Sequence, residues 1–231
     1  MVDLFNIKIQ YGYFYLITIL LLLFFKIDMA HTNTIVNPDE LFQSLPILET
    51  ERLILRPVHT RDANDIFEYA SDPEVSKFVS WEYHRSVADS IHYVRLIVNT
   101  YSRGHPAPWG IVLKDEHKLI GTGGFHWWLY DHARAEVGYT ISSRYWNKGL
   151  MTEALNAILK FGFEKLSLNR IEARCFVLNT ASQRVLEKCG MKYEGTMRQS
   201  LFVKGEFQDL KIYSILKNDF YPAKGVVNPE T

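Results

Sequence analysis

The stretch EVGYTISSRYWNKGLMTEA, residues 136–154, holds three kinds of chain in succession. Glu136 to Ile141 alternates and is mostly β-branched or aromatic, the pattern of a strand. Ser142 to Gly149 is a polar, basic loop. From Leu150 the apolar positions Met151, Ala154, Leu155, Ile158 and Leu159 recur at three and four, the pattern of a helix with one buried face. The first amides of a helix have no partner inside it. Its dipole favours a negative charge there by about 0.3–1 kcal/mol at an exposed site. Arg144 and Lys148 add positive charge, and Gly149 lets main chain come close to a ligand. The stretch therefore predicts a clamp for a phosphate or pyrophosphate. The competing reading is an ordinary strand–loop–helix with two surface cations.

Working outward, the chain has 231 residues, 47% of them hydrophobic and 14% aromatic, enough for one sizeable core. The formal net charge is zero, so no overall field draws in nucleic acid. Cys175 and Cys189 form no Cys-x-x-Cys pair, and His126 and His132 lack further ligands at suitable spacing, so no metal site is expected. Two free thiols in a reducing compartment, the cytoplasm, is the plain reading.

Residues 1–28 contain Tyr13 to Phe25, an almost purely apolar run shorter than the ~20 residues that span a bilayer. It lacks the cleavage site of a secretory signal. Three readings stand: a membrane tether, an inserted or interfacial segment, or a run absent from the working protein, with translation beginning at Met29. The last is favoured, because the domain that follows needs nothing from it. Residues 29–47 read as a polar arm, 48–220 as one domain and 221–231 as a flexible tail.

Along the domain, Leu53 to Arg56 is a strand ended by Pro57. Asp62 opens a helix through Ile66, Phe67 and Ala70, and Asp72-Pro73-Glu74 a short second one. Ser86-x-x-Asp89 is a capping-box variant ahead of Ile91, Val94, Ile97, Val98 and Tyr101. Trp109 to Leu113 and Leu119 to Trp128 are strands, the second with glycines that suggest a bulge or a close neighbour. After the central strand and helix come a strand from Arg170 to Val177 and a helix stopped at Gly190. Two strands, Tyr193 to Phe202 and Phe207 to Leu216, flank a turn at Lys204-Gly205.

Arg144-x-x-Asn147-x-Gly149 resembles the acetyl-CoA signature of the GNAT N-acetyltransferase superfamily. Tyr145 to Gly149 with Thr152-Glu153-Ala154, and the opening Glu49-Thr50-Glu51-Arg52-Leu53, resemble its RimJ/RimL-type branch. Asn179-x-x-Ser182-x-x-Val185-Leu186 resembles the second signature. One departure is Asn147 in the first glycine position; asparagine tolerates left-handed backbone better than most residues. The resemblance covers Leu48 to Phe220. It implies an α+β fold: a mostly antiparallel sheet of six to seven strands, splayed at the middle and flanked by about four helices.

The resemblance also implies chemistry. An acetyl group would pass from acetyl-CoA to a primary amine, either a peptide N-terminus such as that of a ribosomal protein or a small molecule. Val137, Tyr139 and Ile141 would lie along the pantetheine. The amides of Asn147, Lys148, Gly149 and Leu150 would hold the pyrophosphate, with Arg144, Lys148 and Thr152 in support. Asn179 and Ser182 would meet the pantetheine from the far side. Glu136 would be the general base, directly or through a water, unless it is a salt-bridge partner of Arg134 or Arg174. The tyrosine acid of many members is replaced by Leu186, and a serine matching Ser182 carries that role in RimL-type enzymes. Trp81, Tyr83 and His126 would face the acceptor, or be surface aromatics and a packed histidine. A homodimer through the late strands fits the branch. The alternative function is a non-catalytic acyl-CoA sensor or interaction module.

Overall fold

The computed structural model describes residues 38–221. The apolar run at 13–25, the start at Met29 and the tail beyond residue 221 lie outside the described residues. No helix among those described is long and apolar enough to cross a membrane.

A short helix α1 (Pro38–Gln43) precedes strands β1 (Leu48–Glu49) and β2 (Leu53–Arg56). Helices α2 (Ala63–Ala70), α3 (Pro73–Ser76) and α4 (Val87–Ser102) follow. Then come β3 (Trp109–Leu113), β4 (Lys118–Leu129), β5 (Arg134–Ile141) and helix α5 (Leu150–Lys165). The chain ends through β6 (Arg170–Phe176), α6 (Thr180–Lys188), β7 (Lys192–Val203), β8 (Glu206–Leu216) and α7 (Lys217–Phe220). The expected mixed architecture is present, with two corrections of number. The sheet has eight strands rather than six to seven, because the two-residue β1 pairs onto its edge. Seven α-helices occur among the described residues rather than about four, because three of them are single turns or little more.

The arm expected over residues 29–47 is corrected in its last part. Phe42 and Leu45 are buried in the core, with Leu41 packed against it. Leu41 and Phe42 come from the last turn of α1 and Leu45 from just beyond it, too short a run for periodicity to be read from sequence. The Trp109 indole, fully buried, donates to the Pro46 carbonyl at 2.8 Å and ties this segment down.

The sheet order is β1-β2-β3-β4-β5-β6-β8-β7, and every pairing but one is antiparallel. The exception, β5 with β6, pairs only from Arg134–Arg170 to Val137–Ala173. Beyond that point β5 runs on to Ile141 and β6 to Phe176 without hydrogen bonding to each other. Two parallel strands that part midway leave their inner edges open for something else to pair with. Helix α5 is held by a buried face of Leu150, Met151, Ala154, Leu155, Ile158 and Leu159. Leu155, Ile158 and Leu159 are wholly buried, each worth about 1.5–3 kcal/mol of transfer. That packing fixes where the helix begins, and so where its free amides stand.

Arg56 grips Asp62 with two bonds of 2.7 and 2.8 Å, and the His59 amide adds a third at 2.7 Å. These bonds lock β2 to the start of α2. The sequence signal at Ser86 and Asp89 corresponds to a cap: the Ser86 amide donates to Asp89 Oδ2 at 2.9 Å.

Candidate active site

The loop from β5 to α5 is anchored at its start. The Ser142 amide donates to the Ile120 carbonyl at 2.8 Å, and the Trp146 indole to the Ile141 carbonyl at 3.0 Å. The Tyr145 phenol donates to Glu116 at 2.5 Å. The chain then turns through left-handed backbone twice, at Asn147 (φ 60°) and Gly149 (φ 75°). Asparagine and glycine are the residues that take this conformation at least cost. No side chain caps the helix start at Gly149. Glu153 is the first residue of the run whose amide finds a main-chain acceptor, the Gly149 carbonyl at 3.0 Å. Among the described residues, the amides of Asn147 to Thr152 have no hydrogen-bond partner. Six successive residues with free donors at the positive end of a sixteen-residue helix form an anion site made of main chain.

Charge around this turn is arranged differently from the sequence expectation. Arg144 is turned to Glu68 of α2, which also pairs with Lys118. The Lys148 ammonium lies 5.1 Å above the Tyr145 ring. One cation in contact with the helix start is one that sequence reasoning missed. Arg52 donates to the Lys148 carbonyl at 3.0 Å and pairs with Glu153 at 2.6 Å. A Cβ at Gly149 would sit 3.7 Å from its Nη2. Arg52 also neutralises the one carboxylate in the first helical turn. Burial alone would raise the Glu153 carboxyl, but Thr50 and Arg52 hold it below the ordinary range. No sequence spacing signals a contact across a hundred residues; the only hint was that Arg52 belongs to the opening that resembles the RimJ/RimL-type branch.

The slot between the parted strands is bounded by β5 and α6. Val137 is buried, while Tyr139 and Ile141 are partly exposed. The Tyr139 phenol crosses to α6, with its oxygen 2.9 Å from Ser182 Oγ and 3.2 Å from the Ser182 carbonyl. Burial pushes this phenol well above its ordinary range, so it stays protonated and can donate. Asn179 caps α6 by accepting from the Ser182 amide at 3.0 Å. Leu186 is buried. The phenol that the sequence lacks in α6 is thus present at Ser182 from the opposite side, supplied by β5. Thr152 is partly exposed in the first turn of α5. Cys175 and Cys189 are buried free thiols, pushed up by burial to about 11 and about 12.

Near the point where the strands part sits Glu136, 6% exposed. Its Oε2 accepts from the Trp127 indole at 3.0 Å and from Arg174 Nε at 2.8 Å, with Arg174 Nη2 at 2.5 Å. Its Oε1 lies 3.8 Å from His126 Nδ1. Burial works to raise this carboxyl, but His126 and Arg174 win and hold it below the usual range. Of the two salt-bridge partners open from the sequence, the geometry selects Arg174; Arg134 goes to Glu172 at 3.4 Å.

Trp81 and Tyr83 belong to a different cluster. Trp81 lies against His84 with ring centres 5.4 Å apart, and His84 against Tyr93 at 6.0 Å. Tyr83, His84, His92 and Tyr93 line an open cleft of about 490 Å³. Tyr93 reaches Thr122 of β4 at 3.5 Å, which sets this cleft against the sheet. Among the described residues there is no group of three or more potential metal ligands.

Residues 52–192 match the family model described as the acetyltransferase (GNAT) domain. The uncharacterized N-acetyltransferase YoaA of Bacillus subtilis is 39% identical over 172 residues, covering 74% of this chain and 97% of that protein. The ribosomal protein uS5-alanine N-acetyltransferase of Escherichia coli is 28% identical over 187 residues, covering 77% and 94%. Among solved structures, an acetyltransferase of the same family from Bacillus anthracis superposes with a TM-score of 0.67 at 32% identity, covering 75% of this chain and 99% of its own.

Proposed function

The chain belongs to the GNAT acetyltransferase family and is an N-acetyltransferase, and from that premise we propose how its slot is used. The donor is acetyl-CoA. Its diphosphate sits on the free amides of Asn147 to Thr152, with Lys148 supplying positive charge and Arg52 a guanidinium that Glu153 already pairs. Arg144 contributes at longer range, paired with a Glu68 that it shares with Lys118. The pantetheine pairs with the open edge of β5 along Val137, Tyr139 and Ile141, opposite Asn179 and Ser182. This places the thioester where β5 and β6 part.

The acceptor is a primary amine. The uS5-alanine N-acetyltransferase among the relatives supports a peptide N-terminus, and a small amine fits the same chemistry. Trp81 and Tyr83, beside the cleft against β4, serve as its outer wall. Attack requires a neutral amine, a positioned thioester and a partner for the departing sulfur. Ser182 supplies the last: its hydroxyl donates to the thiolate while the Tyr139 phenol donates to Ser182. Glu136 supplies fixed negative charge beside the amine. Catalysis by positioning asks only that the acceptor and the thioester be held in line, and preformed donors cost no reorganisation at the moment of transfer.

The observation that carries this reading is the run of unpartnered amides from Asn147 to Thr152 at the start of α5. Calorimetry with acetyl-CoA, followed by thiol release against peptide N-termini, polyamines and other small amines, tests it. Heat on mixing and release with one amine class are expected. Well-folded protein that gives neither would sink the reading.

A further inference from the structure

His126 is the odd residue of β4. Pairing with β5 passes from Phe125–Val137 to Trp127–Glu136, leaving His126 as the extra residue of a bulge. A bulge re-aims one side chain out of the alternating pattern. The ring lies over the main chain of Gly138, where any Cβ would overlap its Cε1 and Nε2 atoms. Only glycine permits that approach. The ring remains open, its side chain 58% exposed, while the Glu136 carboxylate beneath it is 8% exposed.

Glu136 is a poor proton acceptor in this setting. One of its oxygens is filled by Trp127 and Arg174, and the other faces the imidazole. A base works best when its pKa lies near the working pH, which suits an imidazole better than an ion-paired carboxylate. We propose that His126 accepts the proton of the incoming amine at Nε2, and that Glu136 is its positioning residue, facing Nδ1 from 3.8 Å and stabilising the imidazolium. Among the described residues, Glu136 is the only charged side chain paired with His126, and Arg174 pairs with the other oxygen of that carboxylate. The inference rests on the acetyl-transfer reading above.

The proton balance is simple. The substrate ammonium gives one proton to His126 Nε2, which later returns it to solvent. The neutral nitrogen forms the C–N bond as the C–S bond breaks. Of the two hydrogens still on nitrogen, one is lost and one stays on the amide, while the departing sulfur gains a proton, leaving a secondary amide and a free thiol.

The test is a pH profile of His126→Gln beside the wild type, with the acceptor identified in the amine panel. The expected loss in kcat/KM for the amine is about 10²-fold at neutral pH, with the acetyl-CoA KM within about twofold. The gap should narrow as pH rises and the amine deprotonates unaided. Loss of less than threefold, or an equal loss at every pH, overturns the assignment. A second arm needs no acceptor: 15N NMR of the His126 ring nitrogens in the wild type and in Glu136→Gln, which reads the tautomer. The wild-type ring should carry its hydrogen on Nδ1, toward Glu136, and the variant should lose that preference; the same tautomer in both overturns the pairing. Wild-type protein that binds acetyl-CoA but acetylates no amine would defeat the acetyl-transfer reading instead, and the tautomer would still decide the pairing.

Discussion

The two ends of β5 are built from different materials. At its C-terminal end, the turn into α5 offers main-chain amides, and the nearby side chains are largely engaged with one another: Arg144 with Glu68, Arg52 with Glu153. At its N-terminal end the groups gathered are side chains, Glu136, His126 and Arg174, brought together from three strands. A site made of amides depends on backbone conformation and tolerates exchange of side chains. A site made of side chains depends on each residue and on its partners. Substitutions should therefore split cleanly, with donor affinity moving at one end and turnover at the other.

The largest effect is expected from Gly149→Glu. A non-glycine residue at φ 75° carries a backbone cost of about 1–2 kcal/mol, and the new carboxylate faces the diphosphate. Acetyl-CoA binding should become undetectable by calorimetry while circular dichroism stays native; retained binding would break the contrast. Glu136→Gln comes next, with kcat lowered about 10–100-fold and acetyl-CoA affinity within about twofold. Full activity at neutral pH would remove Glu136 from the chemistry. Arg52→Ala should raise the acetyl-CoA Kd about tenfold, roughly 1.4 kcal/mol, and leave the Tyr139–Ser182 end untouched.

Smaller effects sharpen the same division. The Glu136 carboxyl is held below its ordinary value of 4.5 in the folded protein. A depressed carboxyl stabilises the fold above the unfolded value and loses that stabilisation as pH falls through the folded one. Melting temperature should therefore drop as pH goes below about 4.5, and drop less steeply in Glu136→Gln. Asn147→Gly should tighten acetyl-CoA by no more than about threefold, because asparagine already adopts the left-handed turn at a cost below about 1 kcal/mol. A large gain would mean that the Asn147 side chain crowds the diphosphate.

The same division governs what could be read from the sequence. The strand, the turn and the α5 start were legible because they are contiguous and each rests on local rules: alternation, glycine and asparagine in left-handed backbone, helical spacing. The mixed sheet and its element order followed from the same rules together with the family resemblance. Arg52 was not legible, because its contacts with Lys148 and Glu153 join the residue just ahead of β2 to the start of α5 across the whole early helical region. The Tyr139–Ser182 contact was hidden for the same reason, since it depends on α6 packing back over the parted strands. Glu136 could be named from its strand position, but the choice of Arg174 over Arg134 required the register of β5 against β6. The α1 segment was misread as an arm because a single turn has no period to detect.

The central claim is that free main-chain amides ahead of and within the first turn of α5 hold the coenzyme A diphosphate. Amide NMR on uniformly 15N-labelled protein tests it most directly, titrating coenzyme A and, separately, pantetheine, which lacks the diphosphate. The account predicts that the Asn147 to Thr152 amides shift strongly with coenzyme A and little with pantetheine. Shifts confined to other residues, or equal shifts with both ligands, would contradict it.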